Sequence, residues 1–279
     1  MSLRTIIDKL WLMLFWLSGL LVLAVLLAII AFLVVKGGPA ISWEFLTASP
    51  KGLFLGVEGG IWPAIKGTAA LVLIAVISSA FPALFTALYL AEYAGGSKLS
   101  YIIMLATQCM IGIPSILTGL FGYALFVVYL GFGTSLLAGG LTLGIMVYPT
   151  LVVLMRNALN EVSDDYRIAG LALGVSRWYI IRRIILPKAA PGLISAVLLA
   201  MGYAAGATAP IMVTATVIIA KGSLALFDPV MALPYHLYIM FSQHVSLENA
   251  YGTALVLVFM LIVINTVALC LQRRRKETS

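Results

Sequence analysis

Apolar residues along this chain do not alternate or gather into narrow stripes; they run on without a break. Six stretches, residues 10–35, 68–91, 99–130, 135–155, 192–220 and 251–271, carry almost no charge. About 20 apolar residues in helical form cross the hydrocarbon core of a bilayer, and a helix satisfies its own backbone groups where no water is present. The pattern therefore predicts an all-α integral membrane fold with six transmembrane helices. Pro82 falls inside the second span and is expected to kink it. Residues 99–155 contain no charged side chain at all. That length exceeds one helix, and Gly131 and Gly133 offer the turn that divides it. Arg4 and Lys9 before the first run have the layout of a secretion signal, but the run is too long for one. Residues 37–39 also give no clean cleavage site, so a retained first helix is expected.

Composition agrees: 63% of the 279 residues are hydrophobic and 10% are charged, against about a quarter charged in a soluble domain. The net charge of +7 does not point to nucleic acid, because the basic residues lie in short segments between the apolar runs. With the N-terminus inside, Arg4, Lys9, Lys98, Arg156, Arg167, Arg177, Arg182, Arg183, Lys188, Arg273, Arg274, Arg275 and Lys276 are cytoplasmic. Only Lys36, Lys51, Lys66 and Lys221 are then external. The positive-inside rule puts both termini in the cytoplasm. Trp43, Trp62 and Tyr251 sit near the outer ends of spans, where aromatic belts form. The outer segments, 36–67 and 221–250, have room for interfacial or re-entrant helices. Cys109 and Cys270 lie in apolar runs and read as small buried hydrophobes, without a disulfide framework or metal spacing. His236 and His244 read as ordinary polar residues of a connecting segment. No catalytic or metal-ligating constellation is predicted, and no phosphate-binding G-x-x-x-x-G-K-[ST] loop occurs.

The longest cytoplasmic insertion, residues 156–191, is not disordered in character. Asp164 and Asp165 precede the helix formers of 166–173, and acids suit a helix N-terminus. Gly174 breaks that run, and Ser176 can cap a second short helix over 177–186. Pro187 and Pro191 are expected to end it before the fifth span. Arg177, Arg182 and Arg183 are interleaved with Trp178, Tyr179, Ile180 and Ile181. Such a hairpin either lies on lipid headgroups or docks on a soluble partner, and composition leaves these two readings even.

The segment Ile168-Ala169-Gly170-Leu171-Ala172-Leu173-Gly174, followed by Ile184-Ile185-Leu186-Pro187, resembles the E-A-A loop of ABC importer permeases. Ala169, Gly174, Leu186 and Pro187 match; Ile168 replaces the usual Glu and Gly170 the usual Ala. The resemblance implies that Ala169, Gly170, Leu173, Gly174, Val175, Ser176, Arg177, Leu186 and Pro187 form the ATPase-coupling loop. Further residues resemble the A-type permease of the phosphate importer (Pst) family over about residues 60–275. They are Gly67-Thr68, Tyr89-Leu90-Ala91-Glu92-Tyr93, the run from Ile113-Pro114-Ser115 to Gly122, Gly206-Ala207-Thr208-Ala209-Pro210 and Leu233-Pro234. The implied fold is the six-helix, MetI-like type I importer topology, in one transmembrane domain over 1–279. The implied partners are an ABC ATPase dimer carrying ATP and Mg, a second homologous permease in a heterodimer, and an external solute-binding protein. The chain itself then binds no cofactor, is not an enzyme, and sits in the bacterial inner membrane.

Two departures bear on the solute. Tyr203 and Ala207 stand where the family usually has Arg and Glu. The reading is therefore a phosphate permease, with a permease for another small solute or oxyanion as the alternative. The degenerate E-A-A motif raises an alternative of another class, a non-transporting membrane scaffold or sensor. With no charge in the apolar parts of the spans, a solute path would use hydroxyls, backbone and helix ends. Ser115, Thr118, Tyr203, Gly206, Thr208 and Pro210 are the candidates. Gly140 and Gly144, like Gly202 and Gly206, have the G-x-x-x-G spacing of close helix approach, expected within one subunit. The topology is testable by cysteine labelling of cells: an impermeant thiol reagent added outside should label Gly38→Cys and spare Arg274→Cys. The reverse pattern would invert the assignment.

Overall fold

A computed structural model describes residues 3–51, 59–217, 224–244 and 246–276. The first apolar run is one helix, α1 (Leu3–Gly37). At 1.5 Å per residue it is about 50 Å long, well beyond a bilayer core. It is apolar all round, and none of its apolar window is buried against the rest of the chain. A short turn over Gly38–Ala40 leads to α2 (Trp43–Thr47), capped by the Ser42 hydroxyl, which accepts from the Phe45 N–H at 3.1 Å.

The centre is a pair of long helices, α3 (Trp62–Leu88) and α6 (Leu136–Asn160). Between them come α4 (Lys98–Ile111) and α5 (Ser115–Gly122). Leu71, Ala75, Leu143, Val147 and Leu151 fill the α3–α6 contact. Glycines let the backbones approach: a methyl group on Gly140 would stand 2.5 Å from Ile74 Cγ2, and one on Gly144 would meet Ser78 and the Ala75 carbonyl. The G-x-x-x-G pair on α6 thus packs within the chain.

Beyond α6 lie α7 (Asp165–Ala172), α8 (Arg177–Ile180), α9 (Leu186–Gly206), α10 (Ala209–Thr214), α11 (Leu233–Ser242) and α12 (Leu247–Lys276). Helix α9 lays the alanines 189, 196, 200 and 204 against the α3–α6 pair, and α12 packs on α9 and α11. Gly202 faces Asn265 of α12, while Gly206 meets open space.

Four expectations change. The third apolar run, read as one span over 99–130, is two helices bent by 100° at residues 112–114. Pro114 begins α5 and denies its N–H to the preceding turn, while Gly112 closes α4. The bent pair still joins opposite ends of the bundle. Glu92, after α3, meets Arg167, after α6, at one end. At the other, Leu136 at the start of α6 donates to the Asp228 carbonyl, beside the Met231 that abuts Gly67. Second, Pro187 and Pro191 do not end the second loop helix. A π-helical turn over Ile181–Ile185 carries α8 straight into α9, and Pro187 directly follows that wider turn. The fifth run instead breaks at Ala207–Thr208, and its last residues, 218–220, lie outside the described residues, as does Lys221. Third, His236 is buried on α11, with its Nδ1 3.3 Å from the Thr253 hydroxyl. Fourth, Cys109 and Cys270 are exposed on the outer surface of their helices; in an apolar solvent, exposure carries no hydrophobic penalty.

Helix α11 is seated by Thr68, whose hydroxyl accepts from the Leu233 N–H at 2.8 Å in a buried setting. One residue earlier, a side chain on Gly67 would collide with the Met231 carbonyl. Gly67→Ala should therefore destabilise the fold by about 1–3 kcal/mol, the usual penalty of overpacking. Gly38→Ala, which meets nothing within 4 Å, should be neutral. Thermal unfolding of the detergent-solubilised protein would check both.

Candidate functional site

The loop hairpin is built by local chemistry. Helix α7 ends in a Schellman motif: the Val175 N–H donates to the Gly170 carbonyl (3.1 Å) and the Gly174 N–H to the Leu171 carbonyl (3.0 Å). Gly174 takes φ +74°, the left-handed conformation glycine adopts without strain. Ser176 then caps α8, its hydroxyl accepting from the Tyr179 N–H at 3.4 Å. Gly170, where the usual motif has Ala, is buried because Ile180 of α8 fills its space; a methyl group there would lie 2.7 Å from Ile180 Cδ1. The tip is exposed and largely apolar: Ile168, Leu171, Leu173, Trp178 and Tyr179 all face outward, Leu173 being 81% exposed. Ala169, Gly174, Ser176 and Arg177 are exposed beside them, and Val175 is half-buried. Leu186 and Pro187 are not at the tip; they lie where α9 begins.

The root of the hairpin holds a feature that the sequence reading passed over. The Arg167 guanidinium donates to Glu92 from Nη2 (2.7 Å to Oε1) and Nε (3.1 Å to Oε2). It also donates to the Leu159 carbonyl in the last turn of α6 (3.1 Å), to the Val162 carbonyl just beyond that helix (2.7 Å) and to Asp164 Oδ1 (3.0 Å). Glu92 lies in a π-helical turn, Tyr89–Tyr93, that continues α3, and its side chain is 8% exposed. The hydrogen bond to Glu92 raises the Arg167 pKa above its usual value; burial opposes this, and the charges of Glu92 and Asp164 add to the rise. The guanidinium fork suits such a junction because it presents five donors in fixed geometry. Beside it, Lys188 of α9 sits 4.3 Å from the Tyr166 ring centroid. A cavity of about 440 Å³ opens here, lined by Glu92, Asp164, Arg167, Leu171 and Arg177 among others. The available signal was the pairing of a lone acid at the end of span two with a lone base opening the loop motif, 75 positions apart.

The second candidate region is where the two broken helices meet. Helix α5 packs on α10 with Gly119 against Pro210; a methyl group on Gly119 would stand 2.8 Å from Pro210 Cα. Thr118 and Tyr203 come together on one cavity of about 480 Å³, with Met110, Leu117, Phe121 and Thr150 among its lining. Among the described residues no charged one lines it. Tyr203 is half exposed to it. Ser115 and Pro210 are not among the lining residues; Ser115 is half-buried at the start of α5 and Pro210 is buried. Gly206 is exposed at the end of α9, and Thr208 is half-buried at the break. Tyr203 and Ala207, four apart, would share a helical face, but the helix stops at Gly206 and Ala207 is extended (φ −76°, ψ 121°), packed against the core. Among the described residues no group of three or more His, Cys, Asp or Glu is placed to hold a metal ion.

Comparison with known proteins places this geometry. Residues 83–274 match the model of the family described as "Binding-protein-dependent transport system inner membrane component". The chain is 33% identical over 282 residues to the phosphate transport system permease protein PstA 2 of Mycobacterium tuberculosis (strain CDC 1551 / Oshkosh), covering 98% of this chain and 91% of that protein. It is 31% identical over 267 residues to the phosphate transport system permease protein PstA of Mycobacterium leprae (strain TN), covering 94% and 87%. Among solved structures, an inward-facing MetNI methionine ABC transporter chain aligns with TM-score 0.62 at 20% identity, covering 77% of this chain and 96% of that one. A bacterial alginate ABC transporter chain, in complex with an alginate-bound periplasmic protein, aligns at 0.68 and 14% identity, covering 98% and 97%. These two likenesses concern the fold. The α5–α10 contact gives a direct test. Gly119→Val should force the two broken helices apart and lower transport at least about tenfold, the scale of a misplaced functional group. Insertion, followed by membrane fractionation, should persist.

Proposed function

This chain belongs to the binding-protein-dependent transport system inner membrane components, the multi-pass permease subunits of ABC importers, and from that membership we propose that it moves inorganic phosphate into the cytoplasm. The observation that carries the solute is the 33% identity to a phosphate permease over nearly the whole chain. The likeness covers 98% of this chain and 91% of that protein rather than resting on one motif.

In this reading the exposed tip around Gly174 docks in a cleft of the ATPase subunit. Ala169, Gly170, Leu173, Gly174, Val175, Ser176 and Arg177 form or shape that surface, and Leu186 and Pro187 carry its motion into α9. ATP hydrolysis belongs to the ATPase dimer. A second, homologous permease completes the pore, and a binding protein delivers solute from outside. The loop and both termini are cytoplasmic; a common side for the termini is supported by the end of α1 meeting the start of α12 at Gly37 and Tyr251. The whole chain acts as one transmembrane domain. Phosphate passes beside Thr118 and Tyr203, with Ser115, Gly206, Thr208 and Pro210 shaping the breaks on either side. Tyr203 supplies a hydroxyl without net charge, so contacts in the path are weak and selection is left to the binding protein.

The experiment is uptake of labelled phosphate by the complex reconstituted with its ATPase, second permease and binding protein, with sulfate as the competing oxyanion. ATP-dependent phosphate uptake that sulfate does not displace is expected; uptake of sulfate alone would reassign the solute. Gly174→Pro should reduce solute-stimulated ATP hydrolysis to background while the chain still inserts, because the ring fixes φ near −65° where the turn needs +74°.

A further inference from the structure

Helix α8 runs unbroken through a π-helical turn into α9, so any displacement of the hairpin reaches α9 directly. Nothing comparable joins the hairpin to α3. Helix α7 has eight residues, too few to hold its own shape in water, and its outward face contributes Ile168, Leu171 and Leu173 to the exposed tip. What fixes α7 to the bundle is its first turn. There Arg167 grips Glu92 beyond α3 and the Leu159 and Val162 carbonyls at once, and Tyr166 lies under Lys188 of α9. The Glu92 side chain is 8% exposed and that of Arg167 19%. A buried pair with its hydrogen bonds made resists separation, because either charge alone would be left without compensation. A contact that does not open under load behaves as a joint.

We propose that Glu92 and Arg167 are positioning residues for energy coupling: their ion pair is the joint through which movement of the α7–α8 hairpin reaches α3 and the α3–α6 core. This rests on the docking of the Gly174 turn on the ATPase given above. The hairpin then has two outputs, a continuous helix into α9 and a charged joint into α3, so that the broken fifth span and the central pair shift together. Asp164 holds the far edge of the guanidinium, and the Leu159 and Val162 carbonyls fix its plane. Lysine could satisfy the charge of Glu92 but could not bridge all four partners.

The test uses the full complex in lipid nanodiscs, with binding protein loaded with inorganic phosphate, comparing native chain with Glu92→Gln, Arg167→Lys and the double variant Glu92→Gln/Arg167→Gln. Arg167→Lys keeps the buried charges balanced and so retains the fold should the neutral variants fail to insert. The expected result is normal assembly and a ratio of stimulated to unstimulated ATP hydrolysis lowered at least about fivefold, the low end of coupling between sites. The double variant should be no worse than the single ones, since one joint breaks only once. Unchanged stimulation in Arg167→Lys and Glu92→Gln overturns the proposal. So does a parallel fall of stimulated rate, unstimulated rate and complex yield, which marks a merely structural pair. Gly174→Pro separates the two readings. If it abolishes stimulation while the Glu92 and Arg167 variants keep it, the joint is wrong and the docking stands. If it assembles and couples normally, the docking fails and the joint with it.

Discussion

Inside a bilayer, helices gain nothing from hiding apolar surface from one another, because lipid is as apolar as leucine. The structure therefore depends on how closely α3 and α6 can approach. Gly139, Gly140 and Gly144 remove the side chains that would hold the backbones apart, and Leu71, Ile74, Ala75 and Ser78 occupy the space. Dispersion contacts are small singly and fall off within an ångström, so that this fit, rather than the number of apolar residues, distinguishes core from lipid-facing surface. The alanine face of α9 extends the same solution to a third helix. The bent α4–α5 pair and the α9–α10 break are arranged around this fixed core.

Both helix breaks solve the hydrogen-bond problem that interruption creates. At the α4–α5 bend the Gly112 N–H reaches back to Gln108 and Cys109, and the Leu117 N–H finds Pro114. At the α9–α10 break the Ala207 N–H finds the Ala204 carbonyl and the Met212 N–H the Thr208 carbonyl, and the α6 start is capped by the Ser135 hydroxyl and by the backbone carbonyls of Leu226 and Asp228. Irregular backbone in a membrane protein persists where other protein covers it or where it lines a cavity; Ser135 is buried, while the bend residues Gly112, Ile113 and Pro114 are exposed and Ile113 lines the cavity shared with Tyr203. The breaks also leave Thr118 and Tyr203 on a shared cavity that continuous helices would have closed.

The apolar runs made the all-helical membrane class legible, and Gly174 and Ser176 announced the loop turn through their own backbone chemistry. What escaped had a different physical origin. Proline was weighted as a helix terminator at 187 and 191, but a π-helical turn just ahead absorbed the mismatch. At 114 the run reads as a single span whose proline can break the helix, and the structure breaks it there, with Gly112 closing α4 and Pro114 capping α5. The Glu92–Arg167 pair was hidden because each charge, taken locally, reads as a solvated end. Only the fold brings them to 2.7 Å. The replacement of two family charges by Tyr203 and Ala207 was visible, whereas the end of α9 between those positions, which turns them to different surroundings, is a tertiary fact.

Helix α1 stands apart from this economy. Its packing against the chain is with α12, through Gly37 and the edge-to-face pair of Phe32 and Tyr251, whose ring centroids are 5.5 Å apart. That partner is made long afterwards. Roughly 200 residues separate Gly37 from Tyr251, which at ribosomal speed is about 10–40 s of synthesis. For that interval α1 lacks this resting place in its own chain. Its coat of aliphatic and aromatic side chains, without a polar stripe seeking burial, is the surface that can wait alone in lipid, where an amphipathic helix would be driven to the interface or into a wrong pairing.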